Sequence, residues 1–186
     1  MRLKGFICIA LIALCGCAAK DVPAYNEKAE FSAVLSVEDA GGPIENRIFR
    51  APDKYRLELL APGGGVTIVR FDKRVVWTLL PKRKAYGERP LTPADRNPLV
   101  EPPDEVSVYK KLGADSVEGH PALVERIEME VTGGPSMEVN RWFATDVKWP
   151  LRAEASDGSW RLSLRDFKAG PQDPALFDVP AGYVRM

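Results

Sequence analysis

Apolar and polar residues alternate along short stretches of this chain, and each stretch is closed by Gly, Pro or Asp. Phe31, Ala33, Leu35 and Val37 alternate with Ser32, Val34, Ser36 and Glu38, and Gly41-Gly42-Pro43 then turns the chain into Ile44–Arg50. Pro52-Asp53 leads into Tyr55, Leu57 and Leu59, which alternate with Lys54, Arg56 and Glu58. Pro62 and Gly63-Gly64-Gly65 precede Val66–Phe71, and Asp72-Lys73 reads as a tight hairpin into Arg74–Leu80. The second half repeats the pattern: Leu123–Val131 turns at Gly133-Gly134-Pro135 into Met137–Thr145, and Leu151–Ala155 turns at Asp157-Gly158 into Ser159–Phe167. Successive strand residues point to opposite faces, so punctuated alternation predicts antiparallel strands. Such strands following one another without helices between them predict neighbours in one large sheet and exclude a βαβ fold.

Three stretches break this rhythm. Pro90–Pro103 is too rich in proline for a central strand or a helix interior. It reads either as a loop over a binding face or as a plain surface connection. Asp104–Leu112 is the best helix candidate, with Pro102-Pro103 in front, Asp104 and Glu105 in its first turn, Lys110-Lys111 in its last and Gly113 behind it. The alternation of Val106 and Val108 also allows a strand there. Arg74–Leu80 is apolar on both faces, with Val75, Trp77 and Leu79 on one and Val76 and Leu80 around Thr78 on the other. A strand of this kind needs cover on both sides. Either it is a central strand tucked under the proline loop and the helix, or Val75, Trp77 and Leu79 line an apolar ligand.

The first 17 residues read as an export signal. Arg2 and Lys4 form a basic region, Phe6–Leu14 an apolar one, and Leu14-Cys15-Gly16-Cys17 resembles the lipoprotein cleavage site. The apolar run is shorter than the ~20 residues that span a bilayer. Cleavage before Cys17 removes Cys8 and Cys15, so no disulfide is expected and Cys17 is read as the acylated residue. More than one chain of palmitate length on that cysteine makes a stable anchor. Ala18 stands where, in enterobacterial sorting rules, an aspartate would mark retention in the inner membrane. The expected location is therefore the outer membrane, with the domain facing the periplasm. Residues 1–16 are then the signal, 17–28 a polar tether and 29–186 a single β domain, for which 45% hydrophobic residues supply a core.

Charge and motifs argue against several function classes. The chain balances 26 basic against 26 acidic residues, which leaves no electrostatic footprint for nucleic acid. His120 is the only histidine and sits at a Gly-His-Pro turn, so no multi-histidine metal site is expected. No nucleophile elbow, phosphate loop or zinc-protease motif appears, and neither catalytic residues nor a cofactor is expected. Glu128 and Glu130 fall on a solvated face beside Arg126. Glu125 shares its face with Leu123, Ile127 and Met129, which a rim position or an ion pair with Arg141 explains. Trp142, Trp149 and Trp160 read as sheet-packing aromatics.

Several short segments carry a family resemblance: Arg74-Val75-Val76-Trp77 with Lys84-Ala85-Tyr86, Gly119-His120-Pro121, Arg141-Trp142-Phe143-Ala144 with Trp149-Pro150-Leu151, and Phe177-Asp178-Val179-Pro180-Ala181-Gly182-Tyr183. With the lipoprotein signal they resemble the LolA/LolB-like periplasmic lipoprotein carriers, and more closely the branch described as outer-membrane lipoprotein-sorting proteins. The resemblance implies an unclosed, curved antiparallel half-barrel, with one or two short helices and the proline-rich loop over its concave side. It also implies a concavity for a lipid or another apolar ligand. The long amphipathic N-terminal helix of the carriers is missing from this sequence. The alternative reading is a non-enzymatic scaffold or sensor domain that recognises a protein partner in the envelope.

Overall fold

The computed structural model describes residues 23–95, 108–130 and 136–186. Among these, twelve strands form one sheet: β1 (Phe31–Asp39), β2 (Gly42–Ala51), β3 (Lys54–Leu59), β4 (Val66–Arg70), β5 (Val75–Leu80), β6 (Ala85–Pro90), β7 (Val108–Val117), β8 (His120–Glu130), β9 (Ser136–Ala144), β10 (Trp149–Ala155), β11 (Arg161–Ala169) and β12 (Val184–Arg185). The spatial order is β12-β6-β5-β4-β3-β2-β1-β11-β10-β9-β8-β7. It is two meanders joined where β1 pairs with β11, and all pairings are antiparallel except that of β12 with β6. The sheet is curved and unclosed, the half-barrel that the resemblance implies. Turn chemistry follows the sequence. The β7–β8 hairpin closes through Glu118 and Gly119, both at positive φ (50° and 81°), as a two-residue turn of matching twist requires.

The described residues contain no α-helix, only 3-10 turns at Pro81–Arg83, Pro93–Asp95 and Pro174–Phe177. The helix expected over Asp104–Leu112 is corrected where it can be seen: Val108–Leu112 belongs to β7, and 104–107 lie outside the described residues. A short helix is marginal on its own, whereas β7 gains a full ladder with β8, from Val108 opposite Glu128 to Val117 opposite His120. Capping and charge signals at Pro102–Lys111 were local, and the pairing overrode them. The start of the proline-rich loop turns over the sheet: Leu91 packs against the main core and the Tyr55 hydroxyl donates to the Asp95 carbonyl. Residues 96–103 of that loop lie outside the described residues.

Register sorts the side chains into two faces, because directly opposed residues share one. One row runs Val76, Val69, Tyr55, Arg50 and Phe31 across β5 to β1. It belongs to a core that also takes Ile127, Val139, Trp149, Leu151 and Leu164 from β8 to β11. A cluster fed from both meanders lies on the inner face of the curve. The outer row runs Phe49, Arg56, Ile68, Trp77 and Glu88.

On the outer face β2 to β5 are covered by the chain's own C-terminal run. Asp173 caps the Pro174–Phe177 turn by accepting from the Ala175 amide at 2.9 Å. Phe177, 1% exposed, enters a second cluster of Ala51, Val66, Ile68 and Leu79. Arg56 donates to the Leu176 carbonyl at 3.0 Å, and Arg70 donates to the Phe177 carbonyl at 2.9 Å and to Asp178 at 2.7 Å. This explains how a strand apolar on both faces stays dry: Val76 faces the inner core, while Leu79 lies beneath Phe177.

The clasp is sensitive to acid. Lys73, and with it Arg70, holds the Asp178 carboxyl below its usual range against the effect of burial. Arg70 does the same for Asp72. A depressed folded-state value means that the stabilisation is complete above the ordinary value of 3.8 and is lost as the pH falls through the folded one. The amides of Val184 and Met186, bonded at 2.9 Å to the carbonyls of Lys84 and Tyr86, report on it. Their hydrogen-exchange protection factors are expected to fall as the pH drops below that ordinary value, ahead of those of β1 and β2. Equal protection losses in all three strands would show that the clasp has no separate acid response.

Candidate functional site

At one end of the inner face, the segment before β1 crosses the aromatic core. The Tyr25 ring meets Phe143 and Trp149 edge-on, with centroids 5.4 and 5.3 Å away. Its hydroxyl accepts from Arg141, and burial pushes that hydroxyl's pKa up. Arg141 and Glu125 form an ion pair on the floor, 2% and 0% exposed, with Nε donating to the carboxylate at 2.9 Å. Arg50 stacks over the Trp149 ring at 4.4 Å and donates to the carbonyls of Glu27 and Ala29. The Asn26 amide donates to the Lys148 carbonyl at 3.2 Å. Open depressions of about 440 and 550 Å³ flank this segment, both lined by Asn26, Lys28, Asp146 and Val147.

Towards the other end the inner face stays apolar but loses its cover. Leu35 and Leu164 are buried and opposed. One step further along the same face Val37 opposes Leu162 and Ile44, and all three are less buried. Leu57 and Trp160 are half-buried against the same core. Ile44 and Leu59 on this face are 51% and 39% exposed, with Leu60 beside them at 45%. Single exposed apolar residues are ordinary, but a contiguous set continuing a core marks a place where something apolar docks. The inner face is thus a curved groove whose aromatic end is covered by residues 25–29, whose middle is filled by its own buried side chains, and whose other end is a partly exposed apolar mouth.

Sequence-predicted residues fall in different parts of this arrangement. Val75, Trp77 and Leu79 lie on the outer face. Leu79 is covered by Phe177, and half-buried Trp77 is packed at the edge of that cluster with its indole N–H donating to Glu88 at 2.9 Å. They are not brought together with the groove. Cys17 lies outside the described residues. Of the two readings of Glu125, the structure shows the ion pair with Arg141. His120 is the first residue of β8, just after the turn, and its Nδ1 contacts Asp146 at 2.8 Å. Trp149 is core, Trp160 borders the groove, and Trp142 turns to the outer face under the Arg152 guanidinium at 4.2 Å. No cluster of three or more His, Cys, Asp or Glu suited to a metal occurs among the described residues. Tyr25 and Arg50 were missed by the sequence reading. An aromatic in a polar tether and an arginine in phase with Ile48 were the available signals.

No protein-family model matches the chain, and no curated protein matches it. Among solved structures, the crystal structure of MucB matches 86% of this chain and 60% of its own, at 15% identity and a TM-score of 0.60. The Pseudomonas aeruginosa MucA/MucB complex matches 83% of this chain and 57% of its own, at 14% identity and a TM-score of 0.56. A LolA-superfamily protein from Nitrosomonas europaea matches 85% of this chain at 10% identity and a TM-score of 0.42. The chain thus spans less than two thirds of the MucB chains that it matches. At such identities the likeness is one of fold.

Proposed function

We propose that this chain is a lipoprotein acylated at Cys17, held at the outer membrane with its β domain facing the periplasm, and that it binds the acyl chain of a lipid or another apolar ligand along its inner face. It works by binding, without catalysis. The observation that carries this reading is the apolar surface that runs from the buried Leu35–Leu164 pair through Val37 to exposed Ile44, with exposed Leu59 beyond Asn46 on the same face. Each large aliphatic side chain fully buried by a ligand contributes ~1.5–3 kcal/mol, so even a partial cover of this mouth gives useful affinity. Replacing Ile44 and Leu59 by Asp, both at exposed positions, is expected to weaken binding of a dansylated fatty acid about tenfold or more while leaving the unfolding midpoint unchanged. Unchanged binding would remove the groove from consideration.

A second reading comes from the likeness to MucB, which was solved with MucA(peri): the same sheet then serves as a scaffold or sensor domain for a protein partner in the envelope. Mass spectrometry of organic extracts of the domain separates the two. Co-purifying lipid supports the first, and a lipid-free domain that leaves fatty acid unbound supports the second.

The anchor has its own test. Cys17→Ala is expected to abolish acylation and normal processing, read by mass spectrometry of the mature N-terminus. An unacylated N-terminus in the parent chain, or one well beyond residue 17, would overturn the anchor.

A further inference from the structure

Resting on the apolar-ligand reading, we infer that the segment Tyr25–Ala29 is an internal occupant of the groove, a strap that an incoming acyl chain displaces. The strap belongs to none of the twelve strands of the sheet. Its hold is of another kind: the Asn26 amide on Lys148, the Arg50 guanidinium on two strap carbonyls, and the Tyr25 side chain on Arg141 and the aromatics. What Tyr25 covers is the apolar floor itself, since Phe143 and Trp149 are 2% and 0% exposed beneath it. Phe31 and Leu164, both 0% exposed, join that floor to the core against which the mouth residues Val37 and Leu57 pack, so a chain that displaces Tyr25 reaches the same apolar core. Both open depressions lie where the strap meets Asp146 and Val147 of the β9–β10 turn. Arg50 and Arg141 belong to the sheet rather than the strap and stay behind when it leaves. With Arg141 charge-paired to Glu125, the floor exposed by displacement carries the Arg50 guanidinium beside its aromatics, a setting for an acyl chain with an anionic head.

A strap that closes the site makes the apparent affinity that of the open state multiplied by the open fraction. Trapping it shut weakens binding, and loosening it strengthens binding. The test uses the whole chain from residue 17 with Cys17→Ser, which leaves no thiol except those introduced. Asn26→Cys with Lys148→Cys, both exposed positions with hydrogen-bonded backbones, staples the strap to the β9–β10 turn. With a dansylated fatty acid as the probe, the oxidised form is expected to bind about tenfold more weakly than the same protein reduced. Tyr25→Ala is expected to bind about tenfold more tightly than the parent, and a neutral dansylated alkane is expected to gain less from it than the fatty acid. Equal binding by oxidised and reduced forms overturns the strap and leaves the apolar-ligand reading standing. Absence of binding in every form, Tyr25→Ala included, overturns the apolar-ligand reading itself.

Discussion

Replacing Arg141 by Met is expected to lower the stability of the domain by about 3–5 kcal/mol. The Glu125 carboxylate is fully buried, and the Arg141 guanidinium that faces it is 2% exposed. Removing the cation leaves the carboxylate in a dry setting without the charge that faces it, and desolvation then dominates. The complementary change, Arg141→Met together with Glu125→Leu, is expected to recover most of the loss, because an apolar pair of similar volume requires no ion desolvation. Urea unfolding of the parent and the two variants measures both. A single variant within about 1 kcal/mol of the parent would mean that water reaches the pair and screens it. Arg141→Met also removes the donor to Tyr25, so it loosens the strap as well as the core. Comparison with Tyr25→Ala separates the two contributions.

Phe177→Ala is expected to cost about 3–5 kcal/mol, the transfer term for a buried aromatic plus the cavity that it leaves. The cavity would be walled by Ala51, Val66, Ile68 and Leu79, all on strands held by their ladders, so little collapse can fill it. The ring also lies beneath the Lys54 ammonium at 5.5 Å. Loss of the ring should release the run from Pro174 onward, and with it the short parallel pairing of β12 with β6. Thermal unfolding gives the magnitude, and exchange at the Val184 and Met186 amides shows the local release. Full protection of those amides in a destabilised variant would show that Arg56, Arg70 and Lys73 hold the clasp without the ring.

The two apolar faces of Val75–Leu80 show where local reasoning stops. That this strand needs cover on both faces follows from its own residues. The cover on the outer face is Phe177, whose carbonyl is bonded by a side chain 107 positions away in the chain. Nothing near the strand signals that partner, so a ligand and a loop were reasonable stand-ins. The helix expected over Asp104–Leu112 failed for a related reason. Its caps and charges are properties of neighbouring residues, whereas the strand that replaced it over 108–112 depends on β8 as a partner. The Glu125–Arg141 pair was legible because the two lie on adjacent strands of one hairpin, where register follows from alternation.

The amino-acid sequence alone determined β1 to β5 and β8 to β11, turns between them and which of their residues share a face, because period-two alternation and turn residues act within a few positions of one another. It also holds no cysteine after Cys17, so residues 17–186 alone can form no internal disulfide. Only the tertiary structure decided which face is inside, how Tyr25 leaves the tether to sit on Phe143 and Trp149, and how the C-terminal run covers the outer face. Those outcomes depend on where a curved sheet brings distant segments together. Alternation assigns a residue to a face, but it is the direction of curvature that encloses one face and leaves the other to be covered.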